Sequence, residues 1–220
     1  MKHRIITIDG PAGSGKSTVA REVARRLGFT YLDTGALYRA AALAVISSGV
    51  DARDGVACAS VIDKAEISLH EDKVYLDGRD VSSDIRSPGV AEAASAIAVH
   101  ADVRKRLTAL QRELADRESI VAEGRDTGSV VFPGADLKIF LDADIAERAR
   151  RRHAEFARKG MDADPSEVFE SMRRRDEQDG SRRHSPLRVP ENAFVVDTTH
   201  LTQEEVVVKI LSMVRQALAD

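Results

Sequence analysis

The sequence predicts an α/β fold built on a parallel central sheet, and three observations carry that expectation. Residues 4–8, "RIITI", form a short β-branched apolar run that leads straight into a glycine-rich turn and then a helix-spaced segment. Strand-like and helix-like segments alternate along most of the 220 residues, the pattern of a doubly wound sheet covered by helices. One stretch, from about 62 to 88, drops that rhythm for two-residue alternation, which marks a small antiparallel element inside the α/β chain.

Each element follows in order. The 4–8 run has no polar face, as a parallel strand buried on both sides requires. Over 16–27, "KSTVAREVARRL", Val19, Val23, Ala24 and Leu27 recur at helical spacing, with Arg21, Arg25 and Arg26 left for solvent or ligand and Gly28 as the stop. A strand over "FTYLD" precedes a helix that begins near Thr34 and stops near Gly49. In "EISLHEDKVYLDGRDV", Ile67 and Leu69 stand before a polar turn, Val74 and Leu76 follow it, and Asp77-Gly78 offers a second turn. Helices are expected over 89–103 and 104–116, then strands over "SIVAEG" and over 135–144. An arginine-rich helix over 145–160, a helix over 166–179, a strand over "AFVVD" and a last helix over 202–219 complete the chain. No repeat, low-complexity tract or linker divides it, so one main domain is expected.

Composition narrows the functional classes. A net charge of -3 provides no broad positive field, so general nucleic-acid binding has no compositional support. Cys58 is the one cysteine and cannot close a disulfide within the chain; no Cys/His spacing suits zinc, and the thiol reads as buried and structural. The first residues reach a strand at once, without the apolar run of a signal peptide or membrane span. The expectation is a soluble cytoplasmic protein without a stable nucleic-acid or membrane partner, and a monomer, since no heptads mark a coiled coil.

Gly10, Gly15, Lys16 and Ser17 satisfy the spacing G-x-x-x-x-G-K-[ST], and Gly13 frees the loop further. Strand, loop and helix occur in the order that lets successive backbone N–H groups and a helix N-terminus surround phosphate oxygens. Gly10, Pro11, Ala12, Gly13, Ser14, Gly15, Lys16, Ser17 and Thr18 are therefore read as an ATP-binding loop. Lys16 answers charge on the β- and γ-phosphates, and the Ser17 hydroxyl coordinates magnesium. The N-K-x-D string of a guanine reader and the L-S-G-G-Q string of transporter ATPases are both missing. Asp142, at the end of the 135–144 strand, reads either as a second metal-holding acid or as a helix cap.

Further segments offer an acceptor. Tyr38 and Arg39 lie just inside the helix that begins near Thr34, where a hydroxyl, a phenol and a guanidinium can converge on an anion; alone, they read equally as a core-edge aromatic and a solvated arginine. "EGRDTG" sets Glu123, Arg125 and Asp126 at the end of a strand, where ligands gather on parallel sheets, or else forms an ordinary salt-linked turn. Arg175 and Asp179, at i and i+4, share a face if the helix persists past them, and Gly180 works against that; a surface ion cluster is the alternative. Arg148 and Arg152 share another i, i+4 face, suited to a closing lid or to a solvated basic face.

With the loop, "YLDTGALYRAA", "VAEGRDTGSVVFPGADLKIFLDA" and "RRRDEQDGSR" resemble bacterial cytidylate kinases over nearly the whole chain. The resemblance implies a phosphate-loop nucleoside monophosphate kinase fold over 1–220, with a small antiparallel insertion subdomain at about 54–97 and a helical lid at about 148–160. It implies ATP-dependent phosphorylation of CMP and dCMP with magnesium. Thr34, Tyr38, Arg39 and Arg125 look like the acceptor-phosphate group; Ser95, Arg104, Asp126 and Arg182 look like the cytosine readers, although Ser95 and Arg104 by themselves are ordinary helix residues. Arg175 and Asp179 correspond to contacts on the sugar and phosphate side, with Asp179 accepting the ribose 2'-hydroxyl. Lys16, Arg125, Arg148 and Arg152 are the expected charge-stabilising catalytic group. The chain departs from the pattern at Thr34, where serine is expected, and at Glu123, where "DGRD" carries aspartate. The rival readings are a kinase for UMP or another small acceptor, and a phosphate-loop ATP-binding switch without a small phosphorylated product.

Overall fold

The computed structural model describes residues 3–70, 73–158, 160–182 and 185–218. The polar turn expected at 71–72, Lys159 of the expected lid and Ala219 of the expected last helix lie outside these residues. The elements in chain order are β1 (Ile5–Asp9), α1 (Lys16–Leu27), β2 (Thr30–Asp33), α2 (Thr34–Ser47), α3 (Gly55–Lys64), β3 (Ile67–His70), β4 (Lys73–Leu76), β5 (Arg79–Asp80), α4 (Pro88–Ile97), α5 (Ala101–Ala115), β6 (Ile120–Gly124), β7 (Leu137–Asp142), α6 (Ile145–Arg158), α7 (Pro165–Ser181), β8 (Phe194–Asp197) and α8 (Gln203–Ala217). A 3₁₀ turn, Asp84–Arg86, precedes α4, and a π turn, Thr127–Val131, follows β6. Two compact units divide the chain: Met1–Tyr31 with Ser119–Asp220, and Leu32–Glu118.

The first unit is built on the five-stranded sheet, in the order β2-β6-β1-β7-β8. β1 pairs in parallel with β6 and β7, and β7 with β8, so the unbroken apolar runs of these strands become the centre of the sheet. One face is closed by helices: Ile6, Ile8, Ile139 and Leu141 pack with Val19 and Val23 of α1 and with Val207 and Ile210 of α8. Because the strands are parallel and Asp9 lies opposite Gly124 and Phe140, the loops after β1 and β6 leave from the same end of the sheet. α1 ends as its sequence requires, with Gly28 at φ 67 and its N–H on Ala24 O and Arg25 O. α8 starts on a reciprocal cap between Thr202 and Glu205.

The second unit pairs helices over a small antiparallel sheet, β3-β4-β5. Ile67 lies opposite Leu76 and Leu69 opposite Val74, the alternation expected of that stretch, and the turn into β5 places Asp77 and Gly78 at φ 51 and 77. Both positive values match the inward-twisting two-residue hairpin that Asp-Gly favours. α2 packs on α4, and α3 on α5, where Arg106 is ion-paired with Asp63. No helix among the described residues is long and apolar enough to cross a membrane.

Three features depart from the expected elements. α3 is an additional helix, capped by Asp54 through Ala57 N at 3.0 Å and seated by buried Cys58, Ala59 and Ile62. Its ten residues are too few to show a clear period. α4 and α5 divide at residues 98–100 rather than at 103, because the His100 ring is held at 2.9 Å from Ala52 O and the chain turns there. α7 runs through Gly180 to Ser181; the ion pairs of Asp179 outweigh the roughly 1 kcal/mol that a helical glycine costs.

Candidate active site

The loop after β1 begins with a close approach. Gly10, at φ 149, passes over β7 so tightly that a Cβ would lie 2.0 Å from Leu141 O, and no other residue fits. At Gly13, φ 78, a Cβ would lie 2.8 Å from Met172 Cε and 3.0 Å from Arg148 Cβ, so α6 and α7 rest against the loop. Lys16 is buried, and its Nζ donates to Pro11 O at 2.7 Å, folding the side chain back across the loop. Burial is the largest cause that lowers its pKa to about 7; Arg125 and Arg175 act in the same direction, and Glu123 and Asp9 oppose them. Ser14 donates to Pro11 O at 3.1 Å and its own carbonyl accepts from Thr198 Oγ1 at 3.2 Å, which fixes the turn.

Ser17 and Thr18 are exposed in the first turn of α1, where unbonded backbone N–H groups collect. Among the described residues no three acidic, His or Cys side chains gather as a metal site. The exposed Ser17 hydroxyl is an oxygen ligand of the type that magnesium takes.

Behind the loop, Asp9 is fully buried: Oδ1 accepts from Thr127 N at 2.9 Å and Thr127 Oγ1 at 2.7 Å, and Oδ2 accepts from Gly128 N at 2.7 Å. Burial raises its pKa, the three hydrogen bonds work the other way, and nearby Asp126 adds to the rise. This one carboxylate pins the turn that carries Arg125 and Asp126 to the end of β1.

Arg125 Nε donates to Asp179 Oδ2 at 2.9 Å, and Arg182 Nη2 pairs with Asp179 Oδ1 at 2.5 Å. Burial pushes the Asp179 carboxyl up, but Arg125 and Arg182 outweigh it and hold it below the ordinary range. Arg182 Nε is buried without a hydrogen-bond partner among the described residues. Arg175 is exposed and acts electrostatically on both Asp179 and Lys16. Glu123 is buried and accepts from Tyr31 at 2.7 Å. Lys16, Arg125, Arg175 and Arg182 thus stand among Asp9, Glu123, Asp126 and Asp179 as a dense cluster of charge.

The two arginines of the expected lid differ. Arg148 is 7% exposed and held through two of its nitrogens: Nε donates to Ala143 O, Nη1 donates to Ala12 O at 3.1 Å, and Nη1 pairs with Asp176 at 2.6 Å. Arg152 stacks on Phe156 at 4.6 Å and pairs with Glu155. Asp142 is not the cap of α6: its carboxylate accepts from Ala143 N, and Asp144 caps the helix by accepting from Ala146 N.

In the second unit, Asp33 caps α2 through Ala36 N at 2.8 Å and holds Arg39 at 3.0 Å. Thr34 is buried at the first position of the helix. The Arg104 guanidinium lies 5.6 Å from the Tyr38 ring and donates to Ala98 O, so these two expected contacts share one surface. Ser95 donates to Ala91 O of its own helix. Asp9, Asp33 and Asp176 were not singled out from the sequence. A lone acid at a strand or helix end carries no spacing signal, although Asp33 just before an apolar helical run is a recognisable cap.

A family model described as Cytidylate kinase matches residues 6–216. The chain is 46% identical over 211 residues to a cytidylate kinase of Caldanaerobacter subterraneus subsp. tengcongensis, covering 96% of this chain and 94% of that protein. It is 46% identical over 213 residues to a cytidylate kinase of Carboxydothermus hydrogenoformans, covering 95% and 96%. A crystal structure of an uncharacterized protein from Eubacterium ventriosum ATCC 27560 shares the fold, with a TM-score of 0.55 at 14% identity over 96% of this chain and 98% of that one.

Proposed function

The chain belongs to the cytidylate kinase family, and from that membership we propose how its residues phosphorylate CMP and dCMP with ATP. The loop from Gly10 to Thr18 holds the triphosphate, with Lys16 and the α1 N-terminus on its oxygens and Ser17 toward magnesium. Magnesium, when bound, neutralises charge across the β- and γ-phosphates. An oxygen of the acceptor phosphate attacks the γ-phosphorus in line; that P–O bond forms as the bond to the ADP oxygen breaks. No general base is needed, because a phosphate monoester with a second pKa near 6 is already largely dianionic at neutral pH.

Thr34, Tyr38, Arg39, Arg125 and Arg175 are the acceptor-phosphate residues of this reading. Ser95, Arg104, Asp126 and Arg182 are its cytosine readers, and cytosine offers them an amino donor and two acceptors. Asp179 accepts the ribose 2'-hydroxyl, and Arg148 and Arg152 add charge stabilisation on the donor side. A cytoplasmic monomer acting on free nucleotides, without a nucleic-acid or membrane partner, completes the proposal.

The observation that carries this reading is Lys16, buried within the glycine-rich loop and acted on electrostatically by Arg125 and Arg175. The test is phosphorus NMR of ATP–magnesium with CMP. CDP and ADP should appear in equal amounts, and Lys16→Met should cut the rate about 10²–10³-fold while the far-ultraviolet spectrum stays unchanged. ADP without CDP would remove the kinase reading.

A further inference from the structure

At the start of α2, the second unit gathers more positive charge than its carboxylate neutralises. Asp33 Oδ1 is occupied by Ala36 N, and Oδ2 takes Arg39 Nη2 at 3.0 Å and faces Arg86 Nη2 at 3.6 Å. Two guanidiniums therefore converge on one carboxylate oxygen, at the positive end of a 14-residue helix. Arg39 Nε is buried and has no hydrogen-bond partner among the described residues, so one donor of this cluster awaits an acceptor.

Arg86 comes from outside α2. It closes the 3₁₀ turn Asp84–Arg86, whose middle residue, Ile85, is fully buried and whose turn packs on α2. The guanidinium is thus delivered by an anchored turn, while 55% of the side chain faces solvent. An ion pair that open and that long adds little to stability, so folding does not explain a second arginine on Asp33. An arriving dianion does: it supplies the missing negative charge and an oxygen for Arg39 Nε, and guanidinium forks bind phosphate oxygens in pairs.

We propose that Arg86 is a further acceptor-phosphate residue, joining Arg39 and Thr34 on the phosphate of the incoming nucleoside monophosphate, with Asp33 as the positioning residue that holds both arginines beforehand. The inference rests on the reading that the Thr34–Arg39 segment holds that phosphate. It adds a phosphate contact to the part that Ser95 already gives the 54–97 excursion in acceptor binding.

Steady-state kinetics of the full chain test it, with cytidine as an inhibitor that shares base and ribose with CMP but has no phosphate. Arg86→Ala should raise KM for CMP about tenfold, leave KM for ATP, kcat and the inhibition constant of cytidine within about twofold, and be partly rescued by Arg86→Lys. Asp33→Asn keeps the cap oxygen and should also raise KM for CMP without moving cytidine. Arg39→Ala separates the two levels. If it raises KM for CMP while Arg86→Ala does not, the assignment of Arg86 is wrong; if it leaves KM for CMP unchanged, the underlying phosphate reading is wrong. Equal weakening of CMP and cytidine in Asp33→Asn, with a lowered Tm, would reduce Asp33 to a helix cap.

Discussion

Burial, with Arg125 and Arg175 acting in the same direction, lowers the pKa of Lys16 to about 7. A triphosphate laid against Nζ favours the charged form, so nucleotide binding must take up a proton. Binding of a non-hydrolysable ATP analogue should take up about half a proton at pH 7 and close to one at pH 8.5, read from heats in buffers of different ionisation enthalpy. An uptake that does not change between these pH values would contradict the arrangement. In stability the sign is unfavourable: between pH 7 and 10.5 the unfolded chain binds this proton and the folded chain does not, so the penalty is full below pH 7 and disappears as pH rises. Asp179 has the opposite sign, its contribution being present above pH 3.8 and lost as pH falls through its lower folded value. Since Asp179 also joins two arginines, Asp179→Ala would leave both uncompensated at a cost of about 3–5 kcal/mol. Asp179→Asn is the cleaner substitution and should raise KM for CMP severalfold more than KM for dCMP; equal losses would remove the 2'-hydroxyl role. The turn between β1 and α1 that carries Lys16 and Ser17 was legible from its spacing alone. The Arg125–Asp179 pair joins residues 54 apart, and nothing local in the chain announces it; only the family resemblance brought the two together.

Among the elements, β1, α1 and the loop between them follow directly from the sequence, because one apolar run, one glycine turn and one helical stripe suffice. α3 escaped notice because a short apolar stretch has no distinguishing period, and the α4–α5 division depends on His100 reaching Ala52. The persistence of α7 past Gly180 likewise reflects tertiary ion pairs over local propensity. The contact of α6 and α7 with the loop gives an element-level prediction. Gly13→Ala strains a residue at φ 78 and pushes against Met172 and Arg148. It should raise KM for ATP about tenfold and leave KM for CMP nearly unchanged, measured with each substrate varied in turn. A rise confined to CMP would contradict the assignment of this contact to the donor side.

At the scale of the molecule, the packed face of the sheet and the polar groups at the strand ends carry separate tasks. Ile210→Ala, in the fully buried patch under α8, should lower stability by about 2–5 kcal/mol in urea titrations while both KM values stay within about twofold. The sheet and its helices could be read from hydrophobic pattern, which records burial. The division into Met1–Tyr31 with Ser119–Asp220 and Leu32–Glu118 could not, because no change in composition marks it. The central claim is that the chain transfers a phosphoryl group from ATP to a cytosine nucleotide. The direct measurement is product formation under identical ATP–magnesium conditions with CMP, dCMP, UMP, AMP and no acceptor. CMP and dCMP should show the highest kcat/KM, with UMP and AMP well below and little ATP turnover alone; a preference for UMP, or ATP turnover indifferent to every monophosphate, would contradict it.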